Sequence, residues 1–209
     1  MPDDIVERIG EQDDEAVNLM NRHPRLGVMT LLRLKGLNEV AVSAMIVAYE
    51  HHRNQDGSGY PAPAHEKEMN VFSKIVRVAD NYDATTSAGV YGGVPMPPEK
   101  AIAIMTKRSG RYYDSDAMSL FVRMMGIYPV GSLLLLSDGS LAVASSPAPG
   151  SEGIARPRVT IIQKKAGAAA KAGEVVELTE KDGSGGYSRD VVSSLDPYMY
   201  RINVYRHLV

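Results

Sequence analysis

Apolar residues recur at helical spacing through the first two-thirds of the chain and at strand-like spacing after it. Val42, Met45, Ile46 and Tyr49 share one helical face, Asn38 suits the N-cap before them, and the stretch runs up to His52. Asn70 caps a second stretch in which Phe72, Ile75, Val76, Ala79 and Tyr82 trace an apolar stripe predicted to face the core. Shorter helices are predicted over 14–22, 24–34, 98–107 and 116–125. Pro98 near a helix start and Gly126 just past a helix end match the positional preferences of those residues.

From Tyr128 the period changes. Leu133 to Leu136, then Ser137-Asp138-Gly139-Ser140, then Leu141 to Ala144 reads as a β-hairpin with its turn at Asp-Gly. Residues 158–163 and 174–178 read as further strands, set apart by loop-like stretches over 147–153, 166–173 and 181–186. The pattern therefore predicts a mainly α helical domain over 1–128 and a small β-rich appendage over 129–209.

Composition narrows the chemistry. The 209 residues contain no cysteine, which removes disulfides, thiolate nucleophiles and Cys-based zinc or iron–sulfur sites. A net charge of −2 argues against general nucleic-acid binding, which relies on clustered Lys and Arg to neutralise phosphates. No apolar run approaches the roughly 20 residues of a membrane span. The acidic start Met1-Pro2-Asp3-Asp4 is unlike the basic and then apolar start of a signal peptide, so a cytoplasmic location is expected.

Two of the five histidines, His51 and His52, are adjacent at the end of a helix. Neighbours on a helix point about 100° apart, so one site can use both only where the helix ends beside it. Asp56-Gly57-Ser58-Gly59-Tyr60-Pro61 follows, with glycines that permit a tight turn and a proline that stops the helix. His23-Pro24 lies at a helix junction upstream, and the next helix carries Asp80 and Asp83 three residues apart on one face. Imidazoles and a carboxylate from three helices suit iron, manganese or zinc. Such an ion can make hydroxide from water and hold a phosphate oxygen. The plainer reading is a set of surface or hydrogen-bonded histidines and a solvated Asp pair.

These residues together resemble the HD-GYP family, bacterial metal-dependent phosphohydrolases that degrade cyclic di-GMP. The likeness rests on His51-His52, on the run Asp56 to Pro61 and on Val78-Ala79-Asp80-Asn81-Tyr82-Asp83-Ala84-Thr85-Thr86-Ser87. It extends to Pro2-Asp3-Asp4-Ile5, to Asn21-Arg22-His23-Pro24-Arg25-Leu26-Gly27, to Gly126-Ile127-Tyr128-Pro129-Val130-Gly131-Ser132, to Leu136-Ser137-Asp138-Gly139 and to Leu195-Asp196-Pro197. It implies an HD-type helical bundle with His23, His51 and His52 as ligands of one metal ion, Asp80 on a neighbouring ion and Asp83 close to substrate. Asp56, Gly57, Gly59, Tyr60 and Pro61 would form the loop associated with partner contacts, including cyclic di-GMP synthase domains.

The sequence also departs from the family pattern. It contains no His-Asp dipeptide, and the lysine expected soon after that motif is absent with it. The bundle is therefore expected to be incomplete at its N-terminus, either as part of a longer protein or through loss of that half. Arg53 stands where the family has Glu, and Gly89 and Gly92 stand where it has substrate-phosphate cations, with Tyr91 between them. Losing two cations that meet a dianionic ligand lowers affinity for it, because charge-assisted bonds to phosphate are the strong ones.

The expectation is a degenerate or truncated member with cyclic di-GMP binding weak or lost, acting as a signalling module with little or no catalysis. It would hold at most one divalent ion, iron or manganese ahead of zinc. The alternative is an active cyclic di-GMP phosphodiesterase that works through a metal-bound hydroxide, with an upstream HD-bearing segment present. Missing helices should leave apolar surface around Val42 to Tyr49 or Ile75 to Tyr82, which would favour a homodimer.

Overall fold

A computed structural model of the chain describes residues 14–33, 36, 38–62, 68–87, 95–163 and 173–208. Among the described residues five α-helices are followed by a five-stranded sheet: α1 Asp14–Leu32, α2 Glu39–Glu50, α3 Val71–Thr86, α4 Pro98–Lys107, α5 Ser115–Met125, then β1 Leu133–Leu136, β2 Leu141–Ser146, β3 Arg158–Gln163, β4 Val175–Glu177 and β5 Val191–Leu195. This is the expected helical bundle with a β-rich C-terminal part. No helix among the described residues is long and apolar enough to cross a membrane. The chain forms two compact units, one of Met1–Met96 with Ala103–Ser119 and one of Pro97–Ile102 with Leu120–Val209.

In the first unit the predicted caps are present. Asn38 accepts from the Ala41 amide at 2.9 Å and Asn70 accepts from the Phe72 amide at 2.9 Å. The two helices expected over 14–22 and 24–34 are one helix, α1, with Pro24 buried inside it. Proline removes one helical hydrogen bond and is normally a breaker; here the side chain of His23 takes over the carbonyl that Pro24 leaves without a partner, as described below.

The predicted core face of α3 is a second correction. Ser73 and Val78 are the buried residues of this helix, whereas Phe72 is 56% and Ile75 45% exposed. The helix turns its polar side, which carries Arg77, Asp80 and Asn81, toward the rest of the site. Val42, in the other stretch where exposed apolar surface is expected, is 46% exposed. No residue of α2 is buried.

The second unit is an antiparallel sheet in the order β4-β3-β2-β1-β5. The hairpin turns at Gly139, whose φ of 79° is available to glycine without strain, while Asp138 accepts from the Ser140 amide at 2.9 Å. Leu134, Leu136, Ala142, Ala144, Val159, Ile161, Val176 and Leu178 form one core cluster, and Leu133, Val143 and Val204 form another. Both faces of the central strands are therefore covered, which accounts for four leucines in a row rather than an alternating pattern. Strand β5 was not foreseen. Val192 is exposed and only Val191 and Leu195 pack inward, so what recruits the segment is backbone pairing with β1 rather than hydrophobicity.

Candidate metal centre

Three elements deliver the histidines. His23 lies in the middle of α1, His51 is the C-cap of α2, and His52 follows as the helix gives way to the turn. Their ring centroids are 5.2 Å apart for His23–His51, 4.8 Å for His23–His52 and 4.2 Å for His51–His52. One ligating nitrogen from each falls within 4.8 Å of the others. Three of the four residues that the sequence singles out as metal ligands, His23, His51 and His52, are thus gathered in one place.

The hydrogen bonds fix the tautomers of two of them. His23 Nδ1 is 2.6 Å from the Met20 carbonyl and His51 Nδ1 is 3.1 Å from the Val47 carbonyl. A carbonyl oxygen only accepts, so each Nδ1 carries the proton and each neutral ring keeps its lone pair on Nε2. Those two Nε2 atoms face each other at 3.1 Å. Two lone pairs at that distance repel, and a cation between them relieves it. Nitrogens sharing a tetrahedral ion through bonds of about 2.0–2.1 Å stand about 3.3 Å apart, so the spacing fits a transition metal. Binding the second ring nitrogen to a backbone carbonyl is also how ligating histidines are usually oriented.

The electrostatics favour the neutral form of His52 and of His23. Burial pushes His52 down to about 3, with the neighbouring His51 and His23 and the Arg77 guanidinium adding to the shift. Burial also lowers His23, against the raising effect of its bond to Met20. Neutral imidazole is the form that binds a metal.

Asp80 on α3 places Oδ2 3.5 Å from His52 Nδ1. Burial raises its pKa, and the nearby His51, Arg77 and His23 oppose that rise. Asp83, one turn further on, is exposed and accepts from the Ser87 hydroxyl at 2.8 Å.

The turn after the histidines is built on Asp56, which accepts from the Ser58 amide at 3.0 Å and pairs with Arg111 at 3.2 Å. Gly59 has a φ of 90°, and a Cβ there would stand 2.3 Å from the His52 carbonyl oxygen. The turn can close against the histidine backbone only because this residue is glycine. Gly57, with a φ of 81°, is exposed and has nothing within 4 Å of where a Cβ would be. Tyr60 stacks on His52 with centroids 4.6 Å apart, and buried Pro61 follows it through a cis peptide bond. Arg53 is buried and bonds Glu50 at 3.2 Å. Gly89 and Gly92 lie outside the described residues.

The sequence reading missed Asn54, Arg77, Asn81 and Tyr113. Arg77 donates to Asn54 Oδ1 from Nε at 3.2 Å and from Nη2 at 2.8 Å, and the Tyr113 hydroxyl donates to Asn81 Oδ1. The available signal was an arginine three residues before Asp80 and an asparagine two residues after His52, polar side chains close to both halves of the site.

A family model of the HD domain matches residues 1–117. A cyclic di-GMP phosphodiesterase of Pseudomonas aeruginosa is 34% identical over 143 residues, 68% of this chain and 33% of the relative. A cyclic di-GMP phosphodiesterase of Vibrio cholerae is 32% identical over 125 residues, 58% of this chain and 25% of the relative. The cyclic di-GMP phosphodiesterase response regulator RpfG of Xanthomonas campestris is 30% identical over 123 residues, 59% of this chain and 32% of the relative. The matched region thus spans a quarter to a third of the length of these curated relatives. With the histidine cluster assembled on its helices, and with this family match, the chain belongs to the HD domain family, on the side of it represented by HD-GYP-type phosphodiesterases.

Proposed function

We propose that this chain holds one divalent transition metal, iron or manganese ahead of zinc, on His23, His51 and His52, and that with Asp80 it presents a binding site for the phosphodiester of a cyclic dinucleotide. Cyclic di-GMP is the ligand in the names of the three relatives described above. The observation that carries the reading is the pair of Nε2 lone pairs 3.1 Å apart, each ring locked by a backbone carbonyl.

When bound, such a metal supplies Lewis acidity at a phosphoryl oxygen and lowers the pKa of water. The protein's own part is orientation. The Met20 and Val47 carbonyls hold two rings in the ligating tautomer, and Tyr60 covers one face of His52 and keeps water from it. Asp80 stands beside His52 as a carboxylate able to take or hold a proton, and Asp83 lies one turn further along on the exposed side.

The cluster favours a single ion: it consists of three histidines, a donor set for one metal. With one ion, and no His-Asp pair among these 209 residues, hydrolysis by this chain alone is expected to be slow or absent, which leaves a metal-dependent signalling module.

The test is elemental analysis of the purified chain after loading with Mn²⁺ or Fe²⁺, together with chromatography of cyclic di-GMP incubated with it. One ion per chain, lost in a His51→Ala, His52→Ala variant, is the expected result. Two ions, or metal retained by the double variant, overturns the site. Product formed no faster than with the double variant supports the module, and faster product formation makes the chain a phosphodiesterase in its own right.

A further inference from the structure

A buried polar chain ties the glycine-rich turn to α3. Asn54, 9% exposed, follows the histidine pair. Its Nδ2 donates to the Ser58 hydroxyl at 2.9 Å, and its Oδ1 receives both Arg77 bonds. An arginine only donates, so the amide orientation of Asn54 is settled by its partner. The Asn54 amide also donates to the Ser58 carbonyl at 2.8 Å, which closes the turn from the backbone side.

On α3, Arg77 lies 5.4 Å from the centroid of the Tyr113 ring, and Tyr113 in turn donates to Asn81, one helical turn beyond Arg77. Asn81 donates from Nδ2 to Thr85 Oγ1 at 3.1 Å. Among the described residues no carboxylate forms an ion pair with Arg77. A neutral amide, an aromatic face and helix geometry hold its fixed fork, and Asp80 comes one turn after it on the same helix.

We propose that Asn54 and Arg77 are positioning residues: their double hydrogen bond sets the His51–His52 segment against α3 and so places Asp80 beside the histidine cluster. The bond is suited to this task. Two donors of one rigid guanidinium converging on a single acceptor restrict direction as well as distance, and the bond joins the turn to α3 across 23 positions in sequence. Without it His52 and Asp80 are left with their own 3.5 Å approach, which is too long for a hydrogen bond to fix their separation. The inference rests on the metal reading of the histidine cluster.

The experiment is isothermal titration of tag-free protein with Co²⁺, alongside its visible absorption spectrum and the far-ultraviolet circular dichroism of each variant. The cysteine-free chain gives no sulfur charge-transfer bands. Asn54→Ala is expected to lose about tenfold or more in Co²⁺ affinity, the range seen when groups supporting a metal ligand are removed, with an altered spectrum and unchanged helicity. Arg77→Lys keeps the charge but not the fork and should lose a similar factor, and the double variant should be no worse than either single one. Asn54→Asp keeps the acceptor and should retain affinity and spectrum.

Wild-type affinity in a folded Asn54→Ala or Arg77→Lys protein overturns the proposal, as does a double variant whose losses add. A His51→Ala control separates the two levels. If it still binds Co²⁺ as the wild type does, the metal reading fails and takes this inference with it. If it abolishes binding while Asn54→Ala and Arg77→Lys do not weaken it, this inference alone fails.

Discussion

Pro24 and His23 act on the same carbonyl. Proline has no N–H, so the Met20 oxygen four residues earlier loses its helical donor, and His23 Nδ1 bonds that oxygen at 2.6 Å. A local defect in the helix thereby becomes the device that fixes the tautomer of a candidate metal ligand. Pro24→Ala is expected to stabilise α1, a proline in a helix interior costing about 3 kcal/mol relative to alanine, less the cost of the space left at a buried site. It should also weaken metal binding severalfold, because the restored amide competes for Met20. Thermal melting with and without Mn²⁺ checks both halves; a higher melting temperature with unchanged metal affinity would refute the link.

The metal-free protein should lose stability as the pH falls. His52 is near 3 when folded against 6.5 when exposed, so between those values the unfolded chain binds a proton that the folded chain does not. The His52 contribution is thus fully present above pH 6.5 and declines below it. Asp80, raised by burial, has the opposite sign: its protonated form favours the fold, and this contribution is lost as pH rises from its unfolded value through its folded one. The clean window is therefore just below 6.5, where chelator-treated protein should melt progressively earlier and a His52→Gln variant should show a flatter profile. Saturating metal should raise the melting temperature, by an amount equivalent to about 2.7 kcal/mol at a hundredfold excess over Kd.

The two glycines of the turn should respond differently to alanine. At Gly59 the new Cβ would meet the His52 carbonyl oxygen at 2.3 Å and the Arg53 Cα at 3.2 Å, both backbone atoms that cannot step aside. Gly59→Ala should therefore displace His52 and abolish metal binding. Gly57→Ala meets nothing within 4 Å and costs only its positive φ, about 1–2 kcal/mol. Urea denaturation and metal titration of both variants would reveal the contrast, and intact metal binding in Gly59→Ala would contradict it.

Asp114 holds the start of α5. Its Oδ1 accepts from the Asp116 and Ala117 amides at 3.1 Å each, and its Oδ2 pairs with Lys74 at 3.1 Å. The Ala117 bond is the main cause holding its pKa below 3.8. Its contribution is present above that value and lost as pH falls through the folded one. Asp114→Ala should cost about 1 kcal/mol. Asp114→Asn should cost less and remove part of the acid sensitivity, as followed by melting temperature below about pH 5.

Much of the site was legible because its signals are local. The His51–His52 pair, the glycine turn and the caps Asn38 and Asn70 each depend on residues within a few positions of one another, and the structure contains them all. The Asn54–Arg77 bond was not legible, because it joins residues 23 positions apart and neither carries a signal until the turn and α3 meet. The joining of α1 through Pro24 was hidden for a different reason: a proline inside a helical pattern ordinarily ends it, and the sequence does not say that the neighbouring imidazole takes the freed Met20 carbonyl.

By itself the sequence determined which segments are helix and hairpin, where they are capped, and which histidines and carboxylates are candidate ligands, since capping, turn chemistry and apolar period act over a few residues. The tertiary structure alone decided that α3 turns Arg77 and Asp80 rather than Phe72 and Ile75 toward the site, that Val191–Leu195 becomes the fifth strand, and that two imidazole lone pairs stand 3.1 Å apart. Each of these is a long-range pairing, in which a group's partner, and not its own character, sets the energy.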